Sequence, residues 1–151
     1  MSERLAAEDF LTEAERLRVK EAIREAEQRT SGEIRVHLDE AIEEGVLDHA
    51  AFVFQELGMH RTKDRNGVLI YVSVPSQRVA VIGDTNIHAR LGDGYWHDVL
   101  GILLKHFREG RACEGLCKGI AHLGEQLRTH FPFQADDTNE LSDDISYGKK
   151  R

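Results

Sequence analysis

The stretch Lys63–Val74, "KDRNGVLIYVSV", decides the fold. Its second half, "GVLIYVSV", is apolar at both odd and even positions, so both faces of the strand must be covered, as in the centre of a sheet with layers on each side. Its first half places a carboxylate, a guanidinium and an amide, Asp64-Arg65-Asn66, at the mouth of that buried strand.

Working outward, Pro75-Ser76-Gln77 reads as a short turn and "RVAVIGD" as a following strand, antiparallel to the first. Upstream, "GEIRVHLDE" alternates Ile34, Val36 and Leu38 with Glu33, Arg35 and His37, which predicts a strand with one buried face. Between these strands, Gly45–Leu57 turns Val46, Ala50, Val53 and Phe54 inward at helical spacing, and Gly58 stops it. A helix over Thr12–Arg29 begins with a capping box, Thr12 and Glu15. Its predicted inner face is Leu17, Ala22, Ile23 and Ala26.

After Gly83 the chain reads as irregular through "DTNIHARLGDG". A helix then runs over Tyr95–Phe107, with Trp96, Val99, Leu100, Leu103 and Phe107 on one face, and Gly110 breaks it. Leu116, Ile120, Leu123, Leu127 and Phe131 mark a last helix that Pro132 stops. Two strands that flank a helix pair in parallel through a right-handed crossover. The expected architecture is an α/β single-domain three-layer α/β/α sandwich. Its small mixed sheet, a parallel pair plus an antiparallel hairpin strand, is flanked by helices. Residues 1–132 form the domain, and residues 133–151 form an acidic-then-basic tail, loose or draped over the surface.

The chain has 151 residues, enough for one domain with a real core. Its 40% hydrophobic and 31% charged content argues against wholesale disorder. A net charge of −7 with no basic stripe argues against nucleic-acid binding. No apolar stretch approaches the roughly 20 residues that span a bilayer, and "MSERLAAEDF" lacks the apolar core of a secretory signal. With only two cysteines, a reduced cytoplasm is the expected address, without membrane insertion.

Ligand sites in open α/β sheets gather at loops off strand ends. If the strands pair as read, one rim gathers Glu33, Asp64, Asn66 and Asp84, with Arg65 beside them. Oxygen donors on loops suit a hard cation, Ca²⁺ or Mg²⁺, and an arginine suits a phosphate. The competing reading is a polar loop that caps a sheet edge, with Asn66-Gly67 as turn chemistry. Cys113 and Cys117, four apart on a helix, read as core-facing thiols. The eight histidines show no metal-ligand spacing; His37, His88 and His97 read as surface residues. Phosphate-loop, dinucleotide and nucleophile-elbow signatures are absent, so a hydrolase would need a metal and bound water.

The segments "TSGEIRVHL", "DRNGVLIYVSVPSQRVAVIGD", "YWHDVLGILLKHFREG" and "EGLCKGIAHLGEQLRTHFP" occur in that order. This arrangement resembles the TPM domain family, and "NELSDDISYG" is similar to the ending of its stand-alone bacterial branch. The resemblance covers roughly Leu11 to Gly148. It implies a three-layer sandwich, a loop-built acidic site that holds a divalent cation in some members, and weak acid phosphatase activity in a few. The matching positions are Glu33 in "SGEIRV", Asp64 and Asn66 in "DRNGV", Asp84 in "IGD" and the helix-opening Trp96. Many relatives carry a signal peptide, a membrane anchor and a glycine–acid pair after the third strand, where this chain has "GDTNIHARLG".

The functional expectation is a binding or interaction module with an unidentified protein partner and a cation at this rim. The alternative is a weak metal-assisted phosphomonoesterase. In that alternative the cation polarises the phosphoryl oxygens, Asp64 and Asp84 hold it, and Arg65 pairs with the phosphate.

Overall fold

The computed structural model describes residues 5–92, 94–134 and 140–148. The apolar stretch before the Pro75 turn is strand β2 (Gly67–Ser73), which is buried at every position. It pairs in parallel with β1 (Glu33–Asp39) and antiparallel with β3 (Arg78–Gly83). A two-residue strand, β4 (Ser146–Tyr147), adds in parallel to the far side of β1, which gives the order β3-β2-β1-β4.

Alternation divides β1 and β2 between two cores. Ile34, Val36 and Leu38 of β1 and Val68, Ile70 and Val72 of β2 meet α1 (Glu13–Glu27), α4 (Tyr95–Arg108) and α5 (Ala112–His130). On the opposite face, Leu69 and Tyr71 meet Ala50, Val53 and Phe54 of α2 (Val46–Glu56), with Met59 from a short 3₁₀ turn. The fold is therefore the expected three-layer α/β/α sandwich.

Local chemistry sets the element ends. The Thr12 hydroxyl accepts from Glu15 N, and the Glu15 carboxylate accepts from Thr12 N, which completes the capping box at the start of α1. Gly58 ends the α2 region at φ 70°, a backbone state glycine adopts without strain.

Four expectations need correction. Leu17 is 60% exposed; the inner face of α1 is Val19, Ile23 and Ala26, and Leu17 lies about 200° around the helix from Val19. The segment after Gly83 is a helix, α3 (Thr85–Leu91), because Asp84 caps it by accepting from Thr85 N at 2.7 Å. Both faces of β1 are buried, since Glu33, His37 and Asp39 are all 5% exposed or less. His37 is thus an interior residue, whereas His88 and His97 are exposed as expected. Within the tail, residues 140–148 drape along β1, and Gly148 N donates to Leu38 O at 3.0 Å.

Candidate functional site

The register brings the start of β1, the start of β2 and the end of β3 to one rim. Glu33 N donates to Asn66 O at 3.3 Å, and Asp84 N donates to Gly67 O at 2.9 Å. Glu33, Asn66 and Asp84 are neighbours as the sequence reading requires, with Asp64 and Arg65 in the loop before β2.

Their side chains point to different partners. Arg65 sits at φ 51°, in the left-handed region that non-glycine residues seldom occupy. Its guanidinium forks onto Asp84, Nε to Oδ2 at 3.0 Å and Nη2 to Oδ1 at 3.2 Å. Those hydrogen bonds and the Asp84 charge raise the guanidinium further above its ordinary value. Asn86 ties the loop down, donating from N to Arg65 O and from its amide to Asp64 O. Asp84 is buried beneath the guanidinium, which is itself half exposed.

Glu33 turns the other way, toward the tail. Its carboxylate accepts from Leu141 N at 2.7 Å. Burial pushes its pKa up to about 7, and the nearby carboxylates of Glu140 and Asp143 add to the rise. The Asn66 amide donates to Ser31 O at 3.2 Å, and Asp64 is exposed. Trp96 lies at the start of α4, half buried against the larger core.

The expected ligands thus share a rim but not a point. Among the described residues, no three His, Cys, Asp or Glu side chains are arranged to hold a metal ion. As disposed, Glu33, Asp64, Asn66 and Asp84 do not form a coordination set. Cys113 is buried and Cys117 half buried, both free thiols. Burial and the neighbouring Cys113 push Cys117 up to about 11, so it is no ready nucleophile.

A second polar cluster lies at the opposite ends of the strands, and the sequence reading passed over it. Asp39 is 1% exposed. Its Oδ2 accepts from the Tyr71 hydroxyl at 2.6 Å and lies 2.9 Å from His49 Nε2, while Oδ1 accepts from Glu40 N at 2.8 Å. His49 Nδ1 meets Glu44 Oε1, so its ring lies between two carboxylates. His37 Nε2 is 4.0 Å from Asp39 Oδ2 and has no hydrogen-bond partner among the described residues, and its Nδ1 is 2.7 Å from Ser146 Oγ. Burial pushes His37 down to about 4, which keeps it neutral. A signal was available. Glu33, Arg35, His37 and Asp39 share one face of a strand, and a strand inside a three-layer sandwich leaves neither face in water.

An α/β/α sandwich with a loop-locked rim at the start of its central strands matches a known family: the TPM domain model fits residues 6–126. The chain belongs to the TPM domain family. Among solved structures, it is similar to the BA42 protein from the psychrophilic bacterium Bizionia argentinensis, with 42% identity and a TM-score of 0.88. That match covers 93% of this chain and 97% of that one. The N-terminal domain of a protein from P. gingivalis shares the fold at 22% identity and TM-score 0.67, covering 83% of each chain. No curated protein matches the chain. Among the described residues, no helix is long and apolar enough to cross a membrane.

Proposed function

We propose that this TPM domain is a binding module whose recognition surface is the rim loop 62–66 together with the cap of α3. The observation that supports it is Arg65. Its strained backbone is held by Asn86, and its half-exposed guanidinium is fixed in orientation by buried Asp84. Strain of this kind persists only where surrounding contacts enforce it, and it collects at ligand-contacting loops. The fork presents a preorganised cation beside the exposed Asp64, a pairing suited to an acidic or phosphorylated group on a protein partner in the cytoplasm.

A divalent cation, Ca²⁺ or Mg²⁺, is the other ligand this acidic rim suits by chemistry. It would require Glu33 to leave Leu141 N, or Asp84 to leave Arg65, so metal binding here means a rearranged loop. Phosphomonoester hydrolysis is the second reading, favoured by the guanidinium's accessibility to a phosphoryl group.

The test is an amide ¹H–¹⁵N titration of the full chain with inorganic phosphate, Ca²⁺ and Mg²⁺ separately. Hydrolysis of a generic phosphomonoester is followed in parallel, on wild type and Arg65→Ala. Shifts confined to residues 62–66 and 84–86, lost in Arg65→Ala, support the module. Metal-dependent turnover lost with the same substitution moves the conclusion to an enzyme. An unresponsive rim in every titration removes the proposal.

A further inference from the structure

The cluster around Asp39 backs onto a cleft of about 440 Å³ lined by Ile42, Glu43, Glu44, Val46, Ser76 and Arg78. This cleft lies between the loop that follows β1 and the turn that follows β2. It therefore sits at the carboxyl ends of the parallel strands, where open α/β sheets hold ligands. The rim that holds Arg65 and Asp84 is at their amino ends, so the two places are separate.

Three observations make the cleft more than a surface groove. Its two walls are stitched together: Ile42 N donates to Ser76 Oγ at 3.2 Å, Ser73 Oγ donates to Glu40 O at 2.7 Å, and Val74 N donates to Asp39 O at 3.0 Å. The turn between Ser76 and Arg78 carries a strained residue, Gln77 at φ 53°. Glu44, which lines the cleft, is held by His49, His49 is held by Asp39, and Asp39 in turn accepts from the Tyr71 hydroxyl. A carboxylate oriented by such a chain presents a fixed acceptor to whatever enters.

Glu43 and Arg78 line the same cleft with opposite signs, and neither makes an ion pair among the described residues. An anion and a cation without ion-pair partners among the described residues, with a positioned carboxylate in the same lining, complement a small molecule that carries both charges.

We propose that this cleft binds a small zwitterion of the free amino-acid type, its carboxylate on Arg78 and its ammonium on Glu43 and Glu44. The volume suits such a ligand, since small-molecule sites fall in the range of about 300–1,000 Å³. The Ile42 and Val46 side chains supply the apolar contact for its side chain.

The experiment is an amide ¹H–¹⁵N titration of the full chain with each of the common amino acids at millimolar concentration. Propionate and ethylamine serve as probes with one charge each. The expected result is that at least one amino acid shifts residues 42–46 and 76–78 and, in a long-range ¹H–¹⁵N spectrum of the imidazoles, perturbs the His49 ring nitrogens through Glu44. Arg78→Ala and Glu43→Gln, both at exposed positions, should each weaken that ligand roughly tenfold, the worth of one charge-assisted contact. The proposal is overturned by no response from any amino acid. It is also overturned by propionate binding as tightly as the best amino acid, or by affinities unchanged in both variants.

Discussion

Glu33→Gln should remove a defined part of the protein's pH-dependent stability. Glu33 is 4% exposed, and its pKa is raised from 4.5 to about 7, first by burial. The folded state therefore holds a proton that the unfolded chain has released between those values. The contribution is fully present below 4.5 and is lost as pH rises through 7. At about 1.4 kcal/mol for each tenfold change in proton affinity, the ceiling is about 3 kcal/mol. Gln keeps an oxygen for Leu141 N and cannot ionise. Wild type and variant should be similarly stable near pH 4.5, and the variant should be more stable near pH 8 by up to that ceiling. Glu27, raised to about 10 first by burial and then by its hydrogen bond to Asp143, adds its own slope to both proteins and largely cancels in the comparison. Urea unfolding across this range is the assay. Parallel stability profiles for the two proteins would refute the reasoning.

Three further outcomes follow from the packing. Ile23→Ala should cost about 2–5 kcal/mol and Leu17→Ala within about 0.5, because Ile23 is fully buried and Leu17 is exposed; equal denaturant midpoints for the pair would reject the corrected face of α1. Tyr71→Phe removes the 2.6 Å donor to Asp39 and should cost about 1–3 kcal/mol in chemical denaturation; a neutral result would mean the carboxylate does not depend on that bond. Gly83→Ala places a Cβ 2.5 Å from the Tyr95 hydroxyl and 2.8 Å from Ile87, and overpacking of this kind costs about 1–3 kcal/mol. Gly101→Ala, with nothing within 4 Å of its new Cβ, should raise the melting temperature instead, since alanine favours a helix. If the two glycine variants melt alike, the close approach at Gly83 is not the reason for its glycine.

Much of the scaffold was legible because it is written in local periodicity. The two-sided apolar run of β2 demanded cover on both faces, and the alternation in β1 and the helical spacing of α2 delivered a parallel pair with its crossover. The candidate rim was legible only as far as the backbone. Register alone places Glu33 beside Asn66 and Asp84 beside Gly67. Where each side chain turns depends on partners far along the chain, such as Leu141 for Glu33 and Arg65 for Asp84.

The sequence by itself determined the order of α1, β1, α2, β2, β3, α4 and α5, the central place of β2 and the capped start of α1, since each depends on residues within a few positions of one another. Only the tertiary structure decided that the polar face of β1 is interior, that Asp84 is engaged by Arg65 and the backbone of α3, and that Ser146 closes the sheet edge beside His37. The physical reason is reach. Periodicity reports which residues share a face, but what covers that face comes from elsewhere, and here Ser146 meets His37 across 109 positions of chain. A strand edge is filled by whichever segment the finished fold brings to it, and no local pattern near β1 announces that segment.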